Sequence, residues 1–401
     1  MARRIAINFK EVKPKIVGAL GVYPAGRIQR LEMPVNLPTT DVDELGNRDH
    51  AGTVTDVPEI SITFQAMDVS IQLFQALVGE VVDGTGVDVE KLGYVDVIGE
   101  IKDDNTEDIA KTVVCRYAKI TGFTYTYSVD GEATEEYTCE GTDKRWFKYN
   151  VIVDTFDGKV GAPFTYTLSQ TPITLKNGDE LVSVIAASEY LTEVAAGPAA
   201  GEYSVAATTL TLGETIAATN KVIAVYHNNL AGLNWTDITD DTIPAAVRGK
   251  NIPVLIGSDT RDRIQSVTLR GTFPTVAVKE MGSEEIVGHI TSPVSVEGDL
   301  SVLDTDTELV ALFATGDPSP ADTEFRVCEF TESGIPLEIK ILDPDTSCNT
   351  DAASATVLKT LYIPAITITS EGHSTNVGGN ATQTFGFRST TGALVVYSGA
   401  K

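Results

Sequence analysis

The three residues Arg27-Ile28-Gln29 return as Arg263-Ile264-Gln265, and the offset of 263 − 27 = 236 holds without a gap on both sides. It carries Gly21 onto Gly257, Pro38-Thr39 onto Pro274-Thr275, and Val42-Asp43-Glu44-Leu45-Gly46 onto Val278-Lys279-Glu280-Met281-Gly282. Further along it carries Gly52, Thr55, Asp68 and Leu73 onto Gly288, Thr291, Asp304 and Leu309. A second register, offset 248, aligns Val129-Asp130-Gly131-Glu132-Ala133-Thr134 with Val377-Gly378-Gly379-Asn380-Ala381-Thr382. The change of offset, 248 − 236 = 12, puts a short extra segment between Gly316 and Ala365. Self-similarity at so long a period means that one folding unit is used twice. The 401 residues divide into copy A (1–153), an insert (154–250) and copy B (251–401).

The repeated unit reads as mainly β. Leu31, Met33, Val35 and Leu37 alternate with polar residues, as do Ile60, Ile62 and Phe64, and Phe123, Tyr125 and Tyr127. Period two is the mark of a strand with one buried face. Asp130-Gly131 predicts a tight hairpin turn, since both residues tolerate positive φ, and Gly378-Gly379 stands there in copy B. Val69, Leu73, Phe74 and Leu77 mark one face of a short helix, repeated by Leu309, Leu312 and Phe313. The insert carries strand candidates at Thr171–Leu175, Glu180–Ala186, Tyr203–Leu212 and Lys221–Tyr226. The expected fold is two tandem β-sandwich or split-barrel domains, each with four long strands and one short helix, plus a small inserted β module.

In this order, a strand, a long arm carrying a Glu-Leu-Gly turn, a second strand, a helix and a closing hairpin resemble the tail tube family of tailed viruses of bacteria or archaea. The residues that carry the resemblance are Arg27-Ile28-Gln29, Glu44-Leu45-Gly46, Val57-Pro58-Glu59-Ile60-Ser61-Ile62 and Val129 to Thr134. In copy B they are Arg263-Ile264-Gln265, Glu280-Met281-Gly282 and Ala381-Thr382. The resemblance covers both copies and excludes the insert. It implies a major tail tube protein whose subunits lend strands to one continuous barrel, stacked ring upon ring through the arms. Two copies per chain imply a trimer with pseudo-sixfold symmetry. Twenty-four strands at about 4.8 Å spacing and roughly 36° tilt give a backbone diameter of about 45 Å, wide enough for a DNA duplex.

That assembly would assign the faces. The apolar positions pack inward, and the polar ones face the lumen: Glu59, Ser61, Thr63, Gln65, Thr124, Thr126, Glu132, Thr134, Glu136 and Glu140 in copy A. In copy B they are Glu297, Asp299, Ser301, Thr367, Thr369, Thr382 and Thr384. The turns Glu44-Leu45-Gly46 and Glu280-Met281-Gly282 would be stacking contacts between rings, with Leu45 and Met281 as apolar anchors. The formal charge of −26 gives three chains 3 × −26 = −78. A wall of carboxylates and hydroxyls offers DNA no counterion release, so it would guide a polyanion without holding it. Implied partners are other copies of the chain, a tape measure protein and double-stranded DNA in the lumen, a tail terminator, and baseplate or tip proteins. The implied location is the virion tail, after synthesis and assembly in the host cytoplasm. An insert that projects outward would crowd a contractile sheath and favours a long non-contractile tail.

Other chemistry finds little footing. Asp343, Asp345, Ser347, Asn349 and Asp351 alternate like calcium ligands, but Cys348 stands where a glycine is needed and no Glu closes the loop. His50, His227, His289 and His373 are far apart and expected at the surface or in turns. Cys115 and Cys139 match Ile363 and Phe387 of copy B and are expected as buried, inert thiols. There is no nucleophile elbow around Ser374, no phosphate loop and no cofactor fingerprint. No segment has a signal-peptide core or transmembrane length. The competing readings are a baseplate hub or tail-completion ring of the same fold, and a surface adhesion protein of repeated β-sandwiches.

Overall fold

The computed structural model describes residues 12–24, 27–43, 50, 52–67, 71–102, 108–228, 247–257, 259–261, 263–283, 285–303, 307–318, 324–326, 328, 330, 334–344, 356–375 and 380–401. The protein is mainly β, with two α-helices among these residues. The elements of the first half are β1 (Val12–Gly18), β2 (Ile28–Glu32), β3 (Glu59–Ala66), α1 (Ile71–Val78), β4 (Tyr94–Lys102), β5 (Ile109–Ser128), β6 (Thr134–Gly141) and β7 (Asp143–Lys148). Those of the second half are β8 (Val254–Ile256), β9 (Ile264–Thr272), β10 (Ser295–Leu303), α2 (Glu308–Thr315), β11 (Ile335–Leu342), β12 (Val357–Ser374), β13 (Thr382–Ser389) and β14 (Val395–Ser398).

Eight strands form one antiparallel inner sheet in the order β2-β3-β6-β5-β9-β10-β13-β12. Each half supplies four, and the halves join where β5 pairs with β9. The offsets seen in the sequence reappear in the pairing. Phe64 lies opposite Tyr137 in the first half, and Leu300 opposite Phe385 in the second, displaced by 236 and 248. Irregularities repeat as well. An extra residue bulges at Thr121 in β5 and at Thr369 in β12, and another at Gln29 and Gln265. At the second bulge the glutamine amide donates back to the carbonyl two residues earlier, Arg27 O at 3.5 Å and Arg263 O at 3.2 Å. The Arg-Ile-Gln motif is therefore a bulge that twists the strand where it enters the sheet.

The strands β5 and β12 are long enough to leave the inner sheet and continue into a second layer. There the first half of β5 pairs with β4 and β7, and β4 with β1. The first half of β12 likewise pairs with β11 and β14, and β11 with β8. Ile16 faces Val97 in one outer layer and Ile256 faces Leu337 in the other, both at offset 240. The twelve extra residues of copy B thus divide into 240 − 236 = 4 ahead of β11 and 248 − 240 = 8 between β11 and β12. The sequence reading of four long strands per copy missed these outer layers: β4 is buried on both faces and shows no alternation, whereas β11 alternates buried Leu337, Ile339 and Ile341 with Glu338 and Lys340 and could have been read.

One hydrophobic core lies between the layers and runs through both halves. Phe64, Phe74, Tyr125, Tyr137, Phe385 and Phe387 are among its largest and most deeply buried members, each worth roughly 1.5–3 kcal/mol of burial. The eight-residue helices are too short to persist alone and are held by Leu73, Phe74 and Leu77, and by Leu312 and Phe313, in this core. Leu309 is only half-buried, and Val69 lies outside the described residues. Both helices stop at a left-handed glycine, Gly79 and Gly316, whose N–H closes on the last turn.

The tight Asp130-Gly131 turn does not form. The last β5–β6 pair is Thr126 with Thr134, and neither Asp130 nor Gly131 has positive φ. The start of β9 and the chain ahead of it capture the loop instead. Val129 N–H donates to Gln265 O, and Ala133 N–H donates to Val247 O.

The insert starts in structural terms at Val151, three residues before the boundary at 154. It is a sandwich of two four-stranded sheets with its own core of Tyr166, Leu181, Val184, Tyr203, Leu210, Val222 and Tyr226. Thr171–Leu175 forms no strand; Ser183–Ala186, Glu202–Ala206, Thr209–Leu212 and Lys221–His227 do. A further cluster, with Val17, Ile98, Val114, Phe147, Ile185 and Val225, fastens the module to the outer layer of the first half.

Candidate functional site

The inner sheet has one face on the core and one turned away from it. Residues opposite each other in paired strands point to the same side, so the second face can be followed across the sheet. One row runs Arg30–Gln65–Glu136–Thr124–Arg270–Glu297–Arg388–Thr367, one residue from each of the eight strands. The next row runs Thr134–Thr126–Thr268–Asp299–Gly386–Ser370, and the one beyond it Ser128–Ser266–Ser301–Thr384–Gly372. Glu59, Ser61 and Thr63 on β3 alternate with buried Ile60, Ile62 and Phe64 and lie on this face too. So do Thr369 and Thr382: Thr369 is the bulged residue beside Gly386, and Thr382 sits two positions from Thr384. Glu132 departs from this set. It sits in the loop before β6, in a bridge with Arg248.

The face is less acidic than the sequence reading expected. Arg30, Arg270 and Arg388, which that reading did not place there, stand among the carboxylates Glu32, Glu59, Glu136, Glu140, Glu297 and Asp299. The excess is 6 − 3 = 3 negative charges per chain, a small part of the formal −26. Arg30 pairs with Glu32 at 2.8 Å and reaches Glu136 at 3.8 Å; Arg270 pairs with Asp299 at 2.7 Å. Glu32 is held below the ordinary carboxylate range by the Arg30 hydrogen bond. Hydroxyls flank one row of alternating charge, a pattern visible only once cross-strand register is known.

Two hairpin arms leave the sheet. Thr39–Val42 pairs with Gly52–Thr55, and Thr275–Val278 pairs with Gly288–Thr291, in the same register displaced by 236. Val42, Val54, Val276, Val287 and Ile290 are exposed on them, and Met281 projects fully into solvent at the second tip. The tip turns through Gly282 at φ +90°, with Ser283 N–H donating to Glu280 O. Glu44, Leu45 and Gly46 lie outside the described residues. The second arm also docks on the first half, where Thr275 and His289 approach Glu140 and Arg145 meets Glu285 at 3.4 Å.

His289 corrects the expectation of four surface histidines. Its side chain is fully buried against Tyr94, because the arm strand that carries it lies on the body, and burial lowers its pKa. Cys115 and Cys139 are buried, and desolvation pushes the Cys115 thiol up to about 12 and the Cys139 thiol higher. Cys328 is exposed. Asp343 is half-buried, while Asp345, Ser347, Cys348, Asn349 and Asp351 lie outside the described residues.

Where the halves meet, Glu135 of β6 and Lys359 of β12 form an ion pair at 2.5 Å with neither side chain exposed. Tyr127 and Tyr137 hydroxyls donate to Glu135, and the ammonium lies 5.2 Å from the Tyr125 ring. Sequence reasoning missed this pair, whose members are 224 residues apart.

Among the described residues no three His, Cys, Asp or Glu side chains cluster as metal ligands, and no helix is long and apolar enough to cross a membrane. Comparison with models of known protein families and with curated proteins finds no match to this chain.

Proposed function

We propose that this chain is the structural protomer of a viral tail tube, three copies forming a pseudo-hexameric ring and rings stacking into a pipe that conducts DNA. The observation that carries the reading is the eight-stranded inner sheet. It is two four-stranded halves with equivalent pairing, with a core on one face, polar side chains on the other, and, among the described residues, no strand on the outer edges of β2 and of the second half of β12. Closing such a sheet across three chains gives 3 × 8 = 24 strands, and at about 4.8 Å spacing the wall encloses a bore and not a side-chain-filled interior.

In this reading the polar face lines the lumen. Its hydroxyl rows and balanced charges give a passing duplex neither a counterion-release gain nor strong repulsion, so DNA slides and does not adhere. The arms, with their exposed aliphatics and Met281, would bury those side chains against the next ring. The partners follow: further copies of the chain, a tape measure protein and DNA inside, a terminator and a baseplate or tip at the ends. The inserted module stands on the outer layer, away from the polar face, which favours a tail without a contractile sheath.

Negative-stain microscopy of the purified protein tests the reading. Annular trimers or tubes with an open bore are expected, and monodisperse monomers at high concentration would sink it.

A further inference from the structure

The seam inside the chain is a template for the two open edges. β5 meets β9 with Tyr125 opposite Leu269 and Thr126 opposite Thr268. Adding 248 to the β5 numbers and subtracting 236 from the β9 numbers sets His373 opposite Met33 and Ser374 opposite Glu32. Those residues lie on the second half of β12 and on the continuation of β2, whose outer edges carry no strand pairing among the described residues. We propose that successive copies of the chain join by pairing these two edges in that register, a deepening of the ring reading on which it rests.

Burial argues for it. Along β9, Val267, Leu269 and Phe273 are buried, Phe273 to 3% exposure. Their counterparts Leu31 and Met33 are only half-buried, and Leu37, the counterpart of Phe273, is 58% exposed. Equivalent apolar side chains are covered at the internal seam and uncovered at the edge, as expected if a second copy supplies the missing strand.

The backbone is also prepared. Proline usually blunts an edge by removing a donor, but Pro34 accepts from Ser61 N–H through its carbonyl. Its nitrogen therefore faces β3, on the paired side, and blocks nothing. Met33 O points the other way and is held by the Lys144 ammonium, an outward carbonyl kept satisfied until a strand arrives. Phe123 lies across Gly271 internally, where a Cβ would come within 2.0 Å of the ring, and Glu371 would face Val35 at the open seam.

The open seam lacks one feature of the closed one. The positions of Glu135 and Lys359 become Gln383 and Lys111 of the adjoining copy. Gln383 is neutral and its amide donates to Glu371 at 2.9 Å. A seam that must separate in free protomers thus strands no buried carboxylate.

Cysteine pairs test the register. In a background with Cys328→Ser and Cys348→Ser, Glu32→Cys is combined with Ser374→Cys, or with Gly372→Cys as a two-residue slip on the same face. Assembled protein is imaged, oxidised with copper phenanthroline and run on a non-reducing gel. The first pair is expected to give covalent species up to trimer, at a yield roughly tenfold above the slip pair. Rings in which the slip pair links as well, or neither pair links, overturn the seam and leave the ring reading standing; absence of rings in every variant overturns both. Leu37→Asp gives an independent check, since Leu37 is exposed in the single chain. A folded variant by circular dichroism with assembly intact would also overturn the seam.

Discussion

At the scale of single residues the most consequential contact is the one between Glu135 and Lys359, which no solvent reaches. A buried ion pair adds little net stability over apolar replacements, yet removing one member leaves a stranded charge that costs about 3–5 kcal/mol. Lys359→Met is expected to lose that much in urea denaturation, and adding Glu135→Gln should recover most of it. Equal loss in single and double variants would show that the pair is not coupled. Burial and the Glu135 charge hold the phenols of Tyr125, Tyr127 and Tyr137 well above their usual range. The unfolded chain gives up these protons above about pH 10 and the folded chain does not, so stability should fall as pH rises past that point. Denaturation midpoints from about pH 8 to pH 11 check the sign. Tyr125 and Tyr127 were legible as a core face from alternation alone. Glu135 was not, because it occupies a core position in a run of two acids and its partner comes from the other copy.

At the scale of elements, the inserted module hangs on Asp96 of β4. That fully buried carboxylate accepts from Ser183, Tyr190 and the backbone N–H of Tyr117. Burial raises its pKa and the three donors oppose the rise. Asp96→Ala orphans these donors at about 1–3 kcal/mol each. Faster proteolysis or amide exchange around 183–190, with the inner sheet unchanged, is the expected result. The second arm makes a comparable bet on His289, whose lowered pKa reflects burial, opposed by Glu140 and aided by Lys119. Its neutral form is the folded form. Stability from this docking is present above the unfolded pKa of about 6.5 and is lost as pH falls below it. Protection factors in Gly288–Thr291, exchange rates corrected for the intrinsic rate at each pH, should therefore fall between about pH 7.5 and pH 5; unchanged protection would mean that the arm does not depend on this ring. The inner strands of the first half could be read from period two and their second copies from the repeat, while the arms were expected from the resemblance and the repeat. Strand β4 of the outer layer could not be read, since it is buried on both faces and carries no alternation, and the Asp130-Gly131 turn was lost to hydrogen bonds from segments distant in sequence.

At the scale of the whole molecule, the polar face carries a net −3 from the residues named, and Glu59→Lys with Glu297→Lys would bring it to −3 + 4 = +1. Tubes of this variant are expected to assemble and to retain short duplex DNA at low salt, releasing it as salt rises. Indifference to DNA would remove the argument that the face is built for passage. Which strands share that face was legible; its charge balance was not, because it depends on register between strands that lie far apart in the chain. The seam between β5 and β9 carries a last consequence. In the proposed ring of six domains, three of the six contacts would be tethered by the chain itself, where six separate domains would need six encounters between free partners. Tethering raises the effective concentration of the two halves, so that junction forms during folding and never has to survive alone in solution. It is thereby released from the need to be soluble when open. That freedom accounts for Phe123, Tyr125 and Leu269 on the tethered side, where the untethered junction keeps Glu371 and His373. In the proposed ring, the tethered junction is part of the core, while its twin between chains would stay reversible.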